Sequence, residues 1–343
     1  MKTVWLHIVR AYVGLGLFFY YKKIKVVREQ NIPKNKPILF VSNHQNALLD
    51  ALLIGVTSGR FSYFLTRASV FKKPLVAKLL SGVNMLPVYR VRDGWSTISK
   101  NNSTFKTCTD KFKMNQAVAL FPEGNHNLNR TVRPLSKGFV RIVFETLSTY
   151  PELDLQVVPI GLNYREATVF GDSVALYYGK PIPVKLFVSE FSNEEINVIK
   201  KTVQSKIKGL TTHVDPTRYD ETIAKLNALN VDYLNPKSVN RCLKTNFEDC
   251  ESKPKQTVNW IKQVFKVLLI LNLFMPFVIW KYAIKPKIKE LEFIGTFRFA
   301  LVLTIVPFWI LLLSVIVALN FGMLFGVAYL FSTLFIGLLS VKL

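Results

Sequence analysis

Ile38-Leu39-Phe40-Val41-Ser42-Asn43-His44-Gln45-Asn46-Ala47-Leu48-Leu49-Asp50 passes from strand-like to helix-like sequence within thirteen residues. Residues 38–41 form an unbroken apolar run, the composition of a strand buried on both faces. From Ala47 to Ile54 the residues favour a helix, with Asn46 as its expected N-cap and Asp50 about one turn inside. Six residues along one helix do not bring two side chains to a common face. His44 therefore precedes the helix and sits in the strand-to-helix turn, free to face a cleft. A carboxylate that reaches an imidazole holds its tautomer and stabilises the imidazolium formed when the ring takes a proton. No obvious serine or cysteine nucleophile stands beside the pair, so the expected chemistry is a general base acting on a substrate hydroxyl.

A His and an Asp six apart are a weak signal alone. A second stretch, Phe121-Pro122-Glu123-Gly124, follows another strand-like run, Ala117–Leu120. Leu86-Pro87-Val88-Tyr89-Arg90 lies between the two, and Val158-Pro159-Ile160-Gly161 comes after them. In this order, over residues 35–185, the four stretches resemble the glycerolipid acyltransferase family, which acylates glycerol phosphate and lysophospholipids. That family places four residues between its His and Asp; here there are five. The pattern looks like the subgroup of fungal-type glycerol-3-phosphate and dihydroxyacetone-phosphate acyltransferases, and the departure bears on acceptor choice more than on reaction type.

The resemblance implies roles. His44 and Asp50 are the catalytic pair. Arg90 takes the phosphate-binding position, with Arg92 a weaker candidate, because a guanidinium offers a planar fork to phosphate oxygens. Glu123 meets the hydroxyls of the acceptor, and Gly124 allows close backbone approach. Pro159 and Ile160 shape the acyl-donor side of the cleft. His126 is a rival base, assigned a local hydrogen-bonding role. No metal and no cofactor are expected; the acyl donor is acyl-CoA or acyl carrier protein, as a substrate.

Strand-like runs at 61–66, 83–88, 117–121, 155–163 and 173–178 alternate with helical patterns at 96–113 and 135–148. This alternation predicts an α/β layered domain with a largely parallel sheet, its functional residues on loops at strand ends. Val70–Leu80 reads as a short helix, basic and apolar, near a lipid surface. Ser192-Asn193-Glu194-Glu195 is a capping box opening a helix to Leu210. The expected division is an interfacial helix at 1–24, the catalytic domain at 25–190 and a helical accessory segment at 191–258. A re-entrant or in-plane segment with a basic loop follows at 259–298, then a membrane hairpin at 299–343.

Half of the 343 residues are hydrophobic, yet Lys and Arg outnumber Asp and Glu by 45 to 22. Only +5 of the net +23 lies in residues 264–343. A basic body joined to an apolar tail fits an anionic membrane surface. The tail, and the lack of any nucleic-acid motif, favour lipid over nucleic acid as partner. Val4–Tyr21 carries Arg10 in its middle, which argues for a helix lying on the membrane rather than crossing it. Phe299–Leu319 and Phe321–Val341 are long enough to cross, with Asn320 and Gly322 between them. Lys262, Lys266, Lys281, Lys285, Lys287 and Lys289 mark the entering flank as cytoplasmic. Cys108, Cys242 and Cys250 lack metal spacing and point to a reducing compartment without disulfides. The competing reading is a non-catalytic lipid-binding protein that retains the acyltransferase fold.

Overall fold

A computed structural model describes residues 2–90, 99–253 and 259–343. Its centre is one eight-stranded sheet. β1 (Lys23–Arg28), β7 (Ser173–Tyr178), β6 (Gln156–Tyr164), β2 (Ile38–Ser42), β5 (Ala117–Leu120), β3 (Ser62–Arg67) and β4 (Met85–Val88) follow one another across it. β8 (Ile182–Pro183) pairs with β6. Pairing is parallel except where β6 meets β7 and β8. The central strands are apolar without interruption, Ile38–Val41 in β2 and Ala117–Leu120 in β5, because helices cover both faces, whereas the edge strand β1 carries Lys23, Lys25 and Arg28.

Alternation along β2 splits the core in two. Leu39 and Val41 pack with α4 (Asn101–Lys113), α5 (Gly138–Thr149) and α6 (Asn193–Leu210). Ile38 and Phe40 face the other layer, with Leu17 and Tyr20 of α1 (Lys2–Tyr20) and Leu49 and Leu53 of α2 (Ala47–Thr57). The capping box at Ser192 and Glu195 forms as expected. α6 is nonetheless part of the α/β core, through Ile196, Ile199, Val203 and Ile207. A division at 191 therefore cuts a packed layer, and the accessory unit begins after Leu210. Gly161 makes this packing possible: a Cβ there would stand 2.1 Å from the Leu210 carbonyl oxygen.

The accessory unit has its own small core, from Val214, Leu226, Val231, Tyr233, Val239 and Cys242. It contains α7 (Tyr219–Ala228) and α8 (Pro236–Lys244). Contrary to expectation, Cys242 and Cys250 are joined in a disulfide. Asn246 and Phe247, both at positive φ, turn the chain back on α8 and bring the two cysteines together. Cys108 is free and buried.

The C-terminal arm holds a broken helix and a hairpin. Residues 260–272 and 274–287 meet at 94°, and Trp309 donates its indole N–H to the Asn272 carbonyl at the break. Among the described residues, three helices are long and apolar enough to cross a membrane: Lys2–Tyr20, Leu291–Phe321 and Met323–Lys342. The hairpin is α11 (Ile294–Phe321) and α12 (Met323–Lys342), turned at Gly322 with φ 100°. α11 begins earlier than the apolar run suggested. Gly295 lies against Asn46 and Leu49, and Phe299 is buried in the core beside Tyr20. The first turn and a half of this helix thus belongs to the α/β domain, and a boundary at 299 falls inside its core.

Candidate active site

β2 delivers the site, and its last bonds are made by a side chain. Asn43 donates to the Leu162 carbonyl at 3.0 Å and accepts from the Leu162 N–H at 2.8 Å, extending the ladder to β6 beyond Ser42. The chain then turns sharply. Ala47 takes a φ of 39°, a left-handed conformation that costs an alanine of order 1 kcal/mol. Asn46 occupies the N-cap position, but its side chain makes no capping bond. Its amide instead donates to the Ala167 carbonyl at 2.8 Å.

Asp50 takes over the capping role. Its Oδ2 accepts the backbone N–H groups of Gln45 and Asn46, both at 2.8 Å, and His44 Nδ1 at 2.7 Å. Its Oδ1 accepts the Tyr164 hydroxyl at 2.5 Å. The carboxylate is fully buried, and these donors balance its burial. His44 is thereby fixed with Nδ1 toward Asp50. Nε2 has no hydrogen bond among the described residues. The ring stacks on Phe121 with centroids 4.0 Å apart, and the Asn127 N–H bonds the His44 carbonyl at 2.9 Å. The loop after β5 therefore packs directly on the imidazole.

Glu123 follows on that loop. Its side chain is 2% exposed and its Oε2 pairs with Arg133 at 3.2 Å. Oε1 has no hydrogen-bond partner. Burial pushes its carboxyl up to about 7, a rise that the Arg133 charge only partly offsets. Gly124 has φ 73°, and its carbonyl accepts from Arg90 Nη1 at 3.3 Å. Arg90, Glu123 and Gly124 thus meet on one side of His44. Asn43, His44, Gln45, Glu123, Asn127 and Asn129 line a narrow polar recess there, together with Thr211 and Thr212.

Two expected roles change. Pro159 and Ile160 lie in the middle of β6, both buried, Ile160 in the core layer shared with α1 and α2. They set the strand's packing and present no surface to a donor. His126 makes a T-shaped contact with His44 at 5.5 Å and with Phe293 at 4.6 Å. Its Nδ1 is 3.7 Å from Glu290 and forms no hydrogen bond, so the expected local bond is absent. Desolvation, then the His44 charge, lower its pKa against the pull of Glu290, Glu292 and Asp50. His126, Glu290 and Glu292 place their ligand atoms within 4.8 Å of one another at the rim. Arg92 lies outside the described residues.

Tyr164, Arg133 and Phe121 escaped sequence reasoning. Phe121 sat inside a motif already singled out, so its contact with His44 was within reach. Tyr164 lies 114 residues from Asp50, and nothing local marks it.

The family described as Acyltransferase matches residues 23–163. Glycerol-3-phosphate O-acyltransferase 1 of Saccharomyces cerevisiae is 27% identical over 99 residues, 28% of this chain and 13% of that protein. The chain thus matches only a small part of that protein's length. The 1-acyl-sn-glycerol-3-phosphate acyltransferase of Borreliella burgdorferi is 22% identical over 58% of this chain and 77% of its own. Among solved structures, the 1-acyl-sn-glycerophosphate acyltransferase of Thermotoga maritima has 22% identity and a TM-score of 0.41, covering 58% of this chain and 78% of that one.

Proposed function

We propose that this chain, whose residues 23–163 match the Acyltransferase family, is a membrane-bound O-acyltransferase of phospholipid biosynthesis. It moves a fatty acyl group from a thioester to a hydroxyl of glycerol 3-phosphate or of its 1-acyl derivative. One observation carries this reading: His44 lines a polar recess and is held through Nδ1 by a buried carboxylate, while Nε2 has no hydrogen bond among the described residues.

Nε2 takes the proton of the acceptor hydroxyl as that oxygen attacks the thioester carbonyl. The tetrahedral intermediate collapses, the C–S bond breaks, and the leaving thiolate takes the proton back from the imidazolium. Asp50 is already hydrogen-bonded to Nδ1 and stabilises the imidazolium between the two transfers. Arg90 supplies the charge for the acceptor phosphate, and Glu123 an acceptor oxygen for a second hydroxyl. Fixing both substrates in one cleft supplies much of the rate. A non-catalytic scaffold has no use for a buried carboxylate saturated with donors around an unbonded imidazole.

The test is acyl transfer by the purified protein in membranes, with long-chain acyl-CoA and each of the two acceptors. His44→Ala should cost about 10²–10⁴-fold, the usual worth of a general base. His126→Ala should retain transfer. An inactive His126→Ala together with an active His44→Ala would refute the assignment.

A further inference from the structure

The accessory unit builds a second cavity that the catalytic cleft does not use. It has a volume of about 830 Å³, within the range of small-molecule sites. Its walls come from both units: Arg130 and Arg165 from the acyltransferase domain, Tyr219, Ile223 and Leu226 from α7, and Lys253 beyond α8. Arg130, Arg165 and Lys253 line it with positive charge, and Glu166 is the acid among the lining residues. Tyr219, Tyr233, Ile223, Leu226 and Val231 add aromatic and apolar surface, and Asn227 and Asn230 add amides.

Two of the three cations are already engaged. Arg130 donates to the carbonyls of Tyr164 and Arg165 at 2.9 and 2.8 Å, and stacks over Tyr233 at 3.6 Å. Lys253 pairs with Asp232 at 2.5 Å. The Arg165 guanidinium makes no hydrogen bond and no ion pair among the described residues.

Cations beside aromatic and apolar surface, with amides between them, match a phosphorylated nucleoside. The cavity also adjoins the reaction. Asn129 and Thr131 line the recess at His44, while Arg130 between them lines the cavity. We infer that this cavity binds the phosphorylated nucleotide of the acyl donor, coenzyme A, so that the pantetheine arm crosses segment 129–131 to present its thioester at His44. Arg165 meets the phosphates and the α7 side takes the base. The inference rests on the thioester-dependent reading above, and it assigns the donor's handle to a unit outside residues 23–163.

Binding is measured on the full-length protein in detergent, by titration with coenzyme A, pantetheine and adenosine 3′,5′-bisphosphate. Coenzyme A and the bisphosphate should bind, and pantetheine should not. Arg165→Ala should weaken coenzyme A about tenfold, the worth of one charge-assisted hydrogen bond. Arg165→Glu should weaken it further. Ile223→Trp, which fills part of the cavity, should do the same if its melting curve shows it folded; the half-exposed Arg165 variants keep the test open if it does not. In transfer assays Arg165→Ala should raise KM for acyl-CoA about tenfold relative to KM for the matching acyl-pantetheine.

Equal loss on both donors, or unchanged coenzyme A binding, would overturn the site. Tight bisphosphate binding with no change in the acyl-CoA to acyl-pantetheine ratio would make it an effector site and overturn the donor assignment. Coenzyme A binding that depends on Arg165, with no transfer by the wild type, would leave the cavity standing and sink the acyltransferase reading instead.

Discussion

Tyr164 donates its hydroxyl to Asp50 Oδ1 at 2.5 Å, on the opposite oxygen from the one that holds His44. This buried carboxylate is thus gripped from β6 as well as from its own turn. Burial holds the Tyr164 hydroxyl well above its ordinary pKa, so it stays a donor. Tyr164→Phe leaves Oδ1 without that donor in a fully buried place. The loss should be about 1.5–3 kcal/mol of stability, read as a lower melting temperature. It should also reduce kcat with KM for the acceptor little changed, because the hydroxyl orients the pair and touches no substrate. An unchanged kcat would show that the turn alone positions Asp50.

Arg90 reaches the Gly124 carbonyl from the loop after β4. Arg90→Lys keeps the charge but loses the planar two-pronged donor set. KM for glycerol 3-phosphate should rise, by about tenfold if one charge-assisted bond is lost. The same KM in a folded Arg90→Lys protein would remove Arg90 from the phosphate site.

Glu123 gives the fold a pH dependence of defined sign. Its carboxyl is raised from 4.5 to about 7 by burial, with Arg133 opposing. The folded state therefore binds a proton more tightly than the unfolded chain. The stability this contributes is fully present below pH 4.5 and is lost as pH rises toward about 7, up to about 3 kcal/mol. Glu123→Gln cannot titrate and still accepts from Arg133. The fall in melting temperature between pH 5 and pH 8 should be smaller in Glu123→Gln than in the wild type. An equal fall in both would place the pH dependence elsewhere.

What the sequence disclosed follows from how locally each feature is encoded. Strand β2 was legible because a buried parallel strand is apolar at every position. His44 and Asp50 were legible because both lie in one short stretch. The grip of Tyr164 on Asp50 and of Arg133 on Glu123 was hidden, since parallel crossovers bring distant chain together without a local mark. Pro159 and Ile160 misled because a motif shared with a family serves packing as well as chemistry. The start of α11 was misjudged for another physical reason: Phe299 is equally suited to a lipid face or a protein core, and composition does not separate the two. The Cys242–Cys250 bond depends on a turn through Asn246 and Phe247 at positive φ, which the residue types leave open.

The hairpin makes a claim about sidedness. Arg298, near the start of α11, donates to the Tyr20 hydroxyl at 3.2 Å. Lys342, at the end of α12, donates to the Tyr21 carbonyl at 2.7 Å. Both ends of the hairpin therefore meet the end of α1, next to the α/β domain, while Gly322 turns the chain at the far tip. The lysines at 281, 285, 287 and 289 stand on the near flank, which the positive-inside rule assigns to the cytoplasm. Deletion from 299 is a poor test, because Phe299 is a core residue. Labelling is the better one. Cysteines are introduced singly at Lys289 and Phe321, both exposed, in a Cys108→Ala background with the Cys242–Cys250 bond intact. In sealed vesicles of known orientation, a membrane-impermeant thiol reagent should reach position 289 only from the cytoplasmic side. It should reach position 321 only from the opposite side. If both positions react from the same side, the hairpin does not cross the bilayer and lies along its surface instead.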